Sequence, residues 1–131
     1  MFISLKDASV LMAALQMKFG EFKEAFCRWV PLSEETEQLS LKEKPNFDCI
    51  FWKTGLESCP EGGCSVYESR PLQCRAFPFW SSVLNSRMNW QNTARECPGM
   101  DSGVLHSCDS IKKWLAARQK EPIIFRSKRN V

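Results

Sequence analysis

The stretch Cys64-Ser-Val-Tyr-Glu-Ser-Arg-Pro-Leu-Gln-Cys-Arg-Ala-Phe-Pro-Phe-Trp80 holds two cysteines, two prolines and two arginines within 17 residues. Pro71 disfavours helix at Arg70 and holds it extended. Pro78 closes the other end, so Cys74 lies on a stiffened, irregular segment. Working outward, Thr54–Gly63 contains three glycines and Pro60 and reads as a loop. Ser65–Tyr67 and Cys49–Trp52 are short apolar runs that could form strands. Downstream, Trp80–Arg95 is predicted to be helical, and Pro98-Gly99 stops it. Ser107 or Asp109 caps a last helix, in which Ile111, Trp114 and Leu115 face inward.

The N-terminal third has a clearer period. Ser4 and Asp7 make a capping box, with Asp in place of Glu. Leu5, Ala8, Leu11, Met12 and Leu15 then follow at helical spacing. Gly20 separates a second predicted helix, Glu21–Val30, whose Phe22, Ala25, Phe26 and Trp29 share one face. Pro31 opens a polar connector in which Ser33–Glu37 adds a short helical turn. The expected fold is mainly α: a small single helical domain with an irregular cysteine-rich loop region and at most short strands. Residues 1–120 are expected to form the cysteine-bearing domain and residues 121–131 a basic C-terminal tail. From Lys112 to Val131 there are seven Lys or Arg against one acid, Glu121. A solvated tail is the simpler reading of Arg126-Ser-Lys-Arg129, ahead of contact with nucleic acid or anionic lipid.

The 131 residues are 44% apolar and 25% charged, as a globular domain requires and a disordered chain does not show. A net charge of +3 is too small to indicate nucleic acid by itself. No apolar run approaches the ~20 residues of a membrane span, and the N-terminus does not read as a secretory signal. The five tryptophans are most simply core. There is one histidine, His106, so a site built mainly from imidazole is excluded. No phosphate-binding glycine loop, dinucleotide fingerprint or Ser-His-Asp arrangement is present.

Seven cysteines are the chemical signal: Cys27, Cys49, Cys59, Cys64, Cys74, Cys97 and Cys108. An odd number cannot close a complete internal disulfide framework. A reducing, cytoplasmic setting is therefore expected, where clustered thiols bind metal or do redox chemistry. Fourteen residues separate Cys49 from Cys64, nine separate Cys64 from Cys74, and twenty-two separate Cys74 from Cys97. No C-x-x-C occurs, so spacing alone is a weak metal signal. Taken only as small apolar residues, buried cysteines would need no ligand.

The quoted stretch resembles the signature of the YkgJ-like cysteine-cluster family, described as zinc- or iron-chelating. A related domain occurs in flagellin lysine methylases. Cys49-Ile-Phe-Trp52 is similar to the family's Cys-x-Phe-Leu element. Cys97-Pro-Gly99, followed by Gly103, is similar to its closing Cys-x-Gly element. The resemblance covers roughly residues 1–118. Family members usually open with Cys-x-x-Cys-x-x-Cys-Cys ahead of the first helix, whereas residues 1–26 here hold no cysteine. The resemblance therefore implies a simpler site, with Cys49, Cys64, Cys74 and Cys97 as metal ligands. Four thiolates suit zinc or iron, an iron–sulfur cluster included. The implied function is a zinc- or iron-binding protein. The alternatives are an iron–sulfur component of an enzyme or electron-transfer system, and an interaction domain with a decayed metal site.

Outside that set, Cys59 is the best substitute ligand, because its loop could fold back beside Cys64, although a plain loop thiol is the simpler reading. Cys27 beside Phe26 reads as buried, Cys108 as a helix-boundary residue and His106 as a surface residue. Arg70 and Arg75 are candidates to offset thiolate charge. Arg70 is expected to reach backbone carbonyls or Glu68. Tyr67, Arg70, Phe77, Phe79 and Trp80 either pack the cysteine loop or line a cleft.

Overall fold

A computed structural model describes residues 1–130. Its centre is a strand the helical reading does not contain. Thr36–Leu41 (β2) is flanked on one side by Cys27–Pro31 (β1), antiparallel, with Cys27 opposite Leu41 and Pro31 opposite Glu37. On its other side it takes Phe125–Ser127 (β5), with Thr36 opposite Ser127. The N-terminal segment extends that same edge: Ile3 N–H donates to the Leu39 carbonyl at 3.2 Å, and Leu41 N–H donates to the Met1 carbonyl at 2.8 Å. Chain start and chain end thus share one edge of β2, joined to each other where Ile124 N–H meets the Ile3 carbonyl at 3.0 Å.

Two helices precede this sheet. Leu5–Leu15 (α1) begins with the capping box expected of Ser4 and Asp7, whose backbone and side-chain groups bond reciprocally. Phe19–Phe26 (α2) follows. The helix predicted to run to Val30 stops four residues earlier, because Cys27 turns extended and Arg28–Val30 pair with β2. Trp29 and Val30 favour strand surfaces. Pro31 is harmless at the edge, where no ladder donor is missed. The expected helical turn at Ser33–Glu37 is instead a hairpin turn. There Ser33 Oγ accepts from Glu35 N–H at 3.2 Å and Thr36 N–H at 3.1 Å.

The cysteine-bearing middle contains a second, two-stranded sheet, Trp52–Lys53 (β3) against Gly63–Cys64 (β4). A 3-10 turn, Tyr67–Ser69, leads to the short helices Leu72–Ala76 (α3) and Ser81–Leu84 (α4). The predicted Trp80–Arg95 helix is therefore broken, and it resumes as Arg87–Glu96 (α5) with Ser86 capping Asn89 N–H at 3.0 Å. Cys108–Lys120 (α6) begins at Ser107, as one of the two expected caps. The mainly α expectation is thus corrected: with a three-stranded and a two-stranded sheet, the chain is a mixed α/β domain. The missed strands are short: β1 and β2 pair across a tight turn, and β5 joins β2 from the far end of the sequence, which no local period records.

The core is aliphatic and phenylalanine-based: Ile3, Ala8, Leu11, Phe22, Cys27, Leu39, Leu41 and Phe51 form one buried cluster. None of the five tryptophans belongs to it, contrary to expectation, and Trp52 is 42% exposed. Trp29 packs against the rim of the cluster, and two of the outlying indoles find partners for their N–H groups. Trp80 donates to the Gln73 carbonyl at 2.7 Å and Trp90 to the Asp101 carboxylate at 3.0 Å. The segment read as a basic tail supplies β5. Arg126 lies over the Trp29 ring at 4.2 Å and pairs with Glu37 at 2.8 Å. Among the described residues no helix is long and apolar enough to cross a membrane.

Candidate metal centre

The four expected ligands lie on four segments: Cys49 ahead of β3, Cys64 in β4, Cys74 in α3 and Cys97 at the C-terminal end of α5. Cys49 makes a bridge with Glu43, and its carbonyl accepts from Trp52 N–H at 2.9 Å, which turns the chain into β3. Cys64 stands opposite Trp52 in the second sheet. Both cysteines pack against the core cluster. Cys74 lies in the middle of α3. All three are half-buried.

The Cys74 thiol is pushed up from 9.0 to about 11. Burial is the largest cause, and the neighbouring Cys49 and Cys64 raise it further. The Met1 amino group and Arg70 act in the opposite sense. Like charges that disfavour one another in this way are what a cation placed among them would relieve.

The position of α3 depends on Asp7. This carboxylate is only 3% exposed. One oxygen accepts from Ser4 N–H at 2.9 Å and the other from Leu72 N–H at 2.9 Å. One side chain therefore caps α1 and the first turn of α3, and fixes the helix carrying Cys74 against the N-terminal region. Gln73 adds a second tie, accepting from Phe2 N–H at 2.7 Å. The capping role of Asp7 was legible in the sequence. Its bond to Leu72, 65 residues away, was not.

Arg70 bonds as expected to a backbone carbonyl, that of Tyr67, at 3.0 Å, and its guanidinium lies 3.9 Å over the Tyr67 ring. Arg75 in turn donates to the Arg70 carbonyl at 3.0 Å. The arginine-rich loop is thus braced by its own backbone, next to the thiols it partly compensates. Gly62, with φ +140°, lies under the Trp52 indole, where a Cβ would stand 2.7 Å from Cζ2. Only glycine allows β4 to approach Trp52 this closely.

Cys97 caps the C-terminal end of α5, its carbonyl accepting from Met100 N–H at 3.2 Å. Cys59 does fold back toward β4, but onto the wrong face. A Cβ on Gly63 would lie 3.4 Å from the Cys59 Cβ, and side chains alternate along a strand, so Cys64 points away from Cys59. Its thiol donates instead to the Gly62 carbonyl at 2.8 Å. Cys27 is buried, as expected, and burial pushes its thiol up to about 11 against the lowering influence of Lys42 and Lys23. Cys108 is exposed at the start of α6. His106 lies edge-on to Phe79, ring centroids 5.2 Å apart.

The donor chemistry of Cys49, Cys64 and Cys74 suits zinc or iron, since soft thiolates prefer such ions. The geometry is more open than a finished site. Among the described residues no three His, Cys, Asp or Glu side chains stand close enough to hold an ion as they lie.

A mixed α/β domain carrying its cysteines on separate segments is thereby defined. The chain belongs to the CxxCxxCC family, described as a "putative zinc- or iron-chelating domain", whose model matches residues 13–98. That span takes in every cysteine except Cys108. No solved structure matches the chain.

Proposed function

We propose that the chain binds one zinc or iron ion through Cys49, Cys64 and Cys74, with Cys97 as the candidate fourth thiolate. The observation that carries this reading is the family match over residues 13–98, together with the strand pairing that sets Cys64 opposite Trp52, whose N–H donates to the Cys49 carbonyl. Membership of a family described by metal chelation supports the choice of ion. The fold supplies positioning: the turn into β3 carries Cys49, β4 carries Cys64, Asp7 holds α3 and Cys74, and Arg70 offsets accumulated negative charge. A bound ion would supply charge to hold the thiolates together, and so contribute folding free energy. Zinc is the simpler occupant, because four thiolates satisfy it without a redox partner. A ligand role for the thiols and an odd cysteine count support a reducing, cytoplasmic location.

Elemental analysis of protein purified without oxygen tests the proposal. One equivalent of zinc or iron is expected, lost in Cys49→Ser, Cys64→Ser and Cys74→Ser. Loss in Cys97→Ser as well assigns the fourth ligand. A visible absorption band points to an iron–sulfur cluster instead of mononuclear zinc. Full metal content in all three of the first variants refutes the site.

A further inference from the structure

We infer that a cleft beside the loop leading into α6 binds a small quaternary ammonium ion. The cavity has a volume of about 490 Å³, within the range of small-molecule sites, and none of the cysteines lines it. Its walls come from Phe79 after α3, Trp90 in α5, the loop from Gly99 to His106, and Ile111 in α6. Asp101 is the only acid in that lining, and no lysine or arginine lines the cleft to neutralise it.

The carboxylate is held by the aromatic wall itself. Trp90 Nε1–H donates to Asp101 Oδ1 at 3.0 Å, which ties the loop to α5. Asp101 enters none of the four ion pairs among the described residues, so its charge is unmatched within the protein. Aromatic rings surround this charge. Phe79 and Trp90 stack with centroids 6.4 Å apart and planes 17° from parallel, and His106 meets Phe79 edge-on at 5.2 Å. Elsewhere three rings already carry a cation of the chain: Phe19 under Lys23, Tyr67 under Arg70 and Trp29 under Arg126. Among the described residues no such cation lies over Phe79 or Trp90. Ring faces and a carboxylate attract the same sign of charge, and here they share one cavity.

The kind of cation follows from the acceptors. A primary ammonium brings three donors, and a guanidinium pairs best with both oxygens of a carboxylate. Asp101 is the single acid, and one of its oxygens is already engaged by Trp90. A quaternary ammonium has no N–H to satisfy. Its methyl groups match Leu105, Ile111 and the rings, and its charge is recognised through aromatic faces.

The test is a titration of the full chain, nitrogen-15-labelled and purified without oxygen, with choline at constant ionic strength, following the five indole N–H resonances. A pH of about 8 is used, where imidazole is ordinarily neutral and does not repel a cation. The Trp90 signal is expected to shift saturably, with Trp29 and Trp52 unmoved. The neutral isostere 3,3-dimethyl-1-butanol, with carbon in place of the charged nitrogen, should bind about fivefold or more weakly, the measure of an exposed cation–π contact plus an exposed ion pair. Asp101→Asn isolates the carboxylate, because asparagine keeps an oxygen for the Trp90 N–H and tolerates the left-handed backbone of Asp101, φ +60°. Choline's advantage over the isostere should fall about twofold or more in that variant. Equal affinity for choline and its isostere in the unaltered chain overturns the proposal. So does an undiminished advantage in Asp101→Asn, or the absence of a saturable Trp90 shift up to about 10 mM, well above millimolar affinity. Should Asp101→Asn fail to fold, the choline–isostere comparison on the unaltered chain decides alone.

Discussion

Replacing Asp7 by alanine probes the link between the N-terminal region and the thiols. The wild-type carboxylate satisfies two backbone donors, Ser4 N–H and Leu72 N–H, at 2.9 Å each, in a setting where the side chain is 3% exposed. Alanine leaves both donors buried and unpaired. Each unsatisfied group costs about 1–3 kcal/mol, so the substitution should destabilise by about 3–4 kcal/mol. For a domain of this size that corresponds to a fall in Tm of roughly 10–15 °C. Ser4→Ala serves as the comparison. It removes only the reciprocal bond of the capping box, Asp7 N–H to Ser4 Oγ at 3.1 Å, and should cost about 1 kcal/mol. The excess of Asp7→Ala over Ser4→Ala therefore measures chiefly the remote bond to α3. Urea unfolding followed by circular dichroism gives both values, and metal content measured in parallel should fall more in Asp7→Ala, because α3 carries Cys74. A Tm for Asp7→Ala within about 2 °C of wild type, or no larger loss than in Ser4→Ala, would refute the reasoning.

Gly62→Ala should destabilise by about 1–3 kcal/mol, since the new methyl meets the Trp52 indole at 2.7 Å and Gly62 has φ +140°; denaturant midpoints and the emission maximum of Trp52 check this. Stability should decline with rising pH between about 9 and 11 in part through Cys27: below pH 9 both states keep the proton, while above it the unfolded thiol ionises and the folded one, held near 11 by burial, resists. Cys27→Ala should flatten that decline, and an identical pH dependence in the variant would remove Cys27 as its cause. A strong chelator should lower Tm and change tryptophan emission if the ion is structural, because Trp52 is paired with Cys64; a flat melting curve while metal leaves the protein would assign the ion no role in folding.

Much of the chemistry was local and therefore legible. The capping box at Ser4 and Asp7, the start of α6 at Ser107, the braced Arg-Pro turn and the burial of Cys27 all follow from residues within a turn or two of one another. Apolar composition indicated a globular domain, and the cysteine-bearing stretch pointed to the family whose model matches residues 13–98. Strand pairing was beyond the sequence. β1 continued the helical face of Phe22 and Phe26 well enough to be read as helix. β2 looked like a polar connector until its Leu39 and Leu41 met the core. The cysteines divide on the same line. Their number and flanks indicated thiol chemistry, but spacing could not say which of them converge. Tertiary structure places Cys49 at the turn into β3, Cys64 in β4, Cys74 in α3 and Cys97 at the end of α5, and turns Cys59 onto the opposite face of β4. Asp7 shows the reason most directly. Its first partner is three residues away and is dictated by helix geometry, whereas its second lies 65 residues away and exists only once the sheets have closed and α3 has docked.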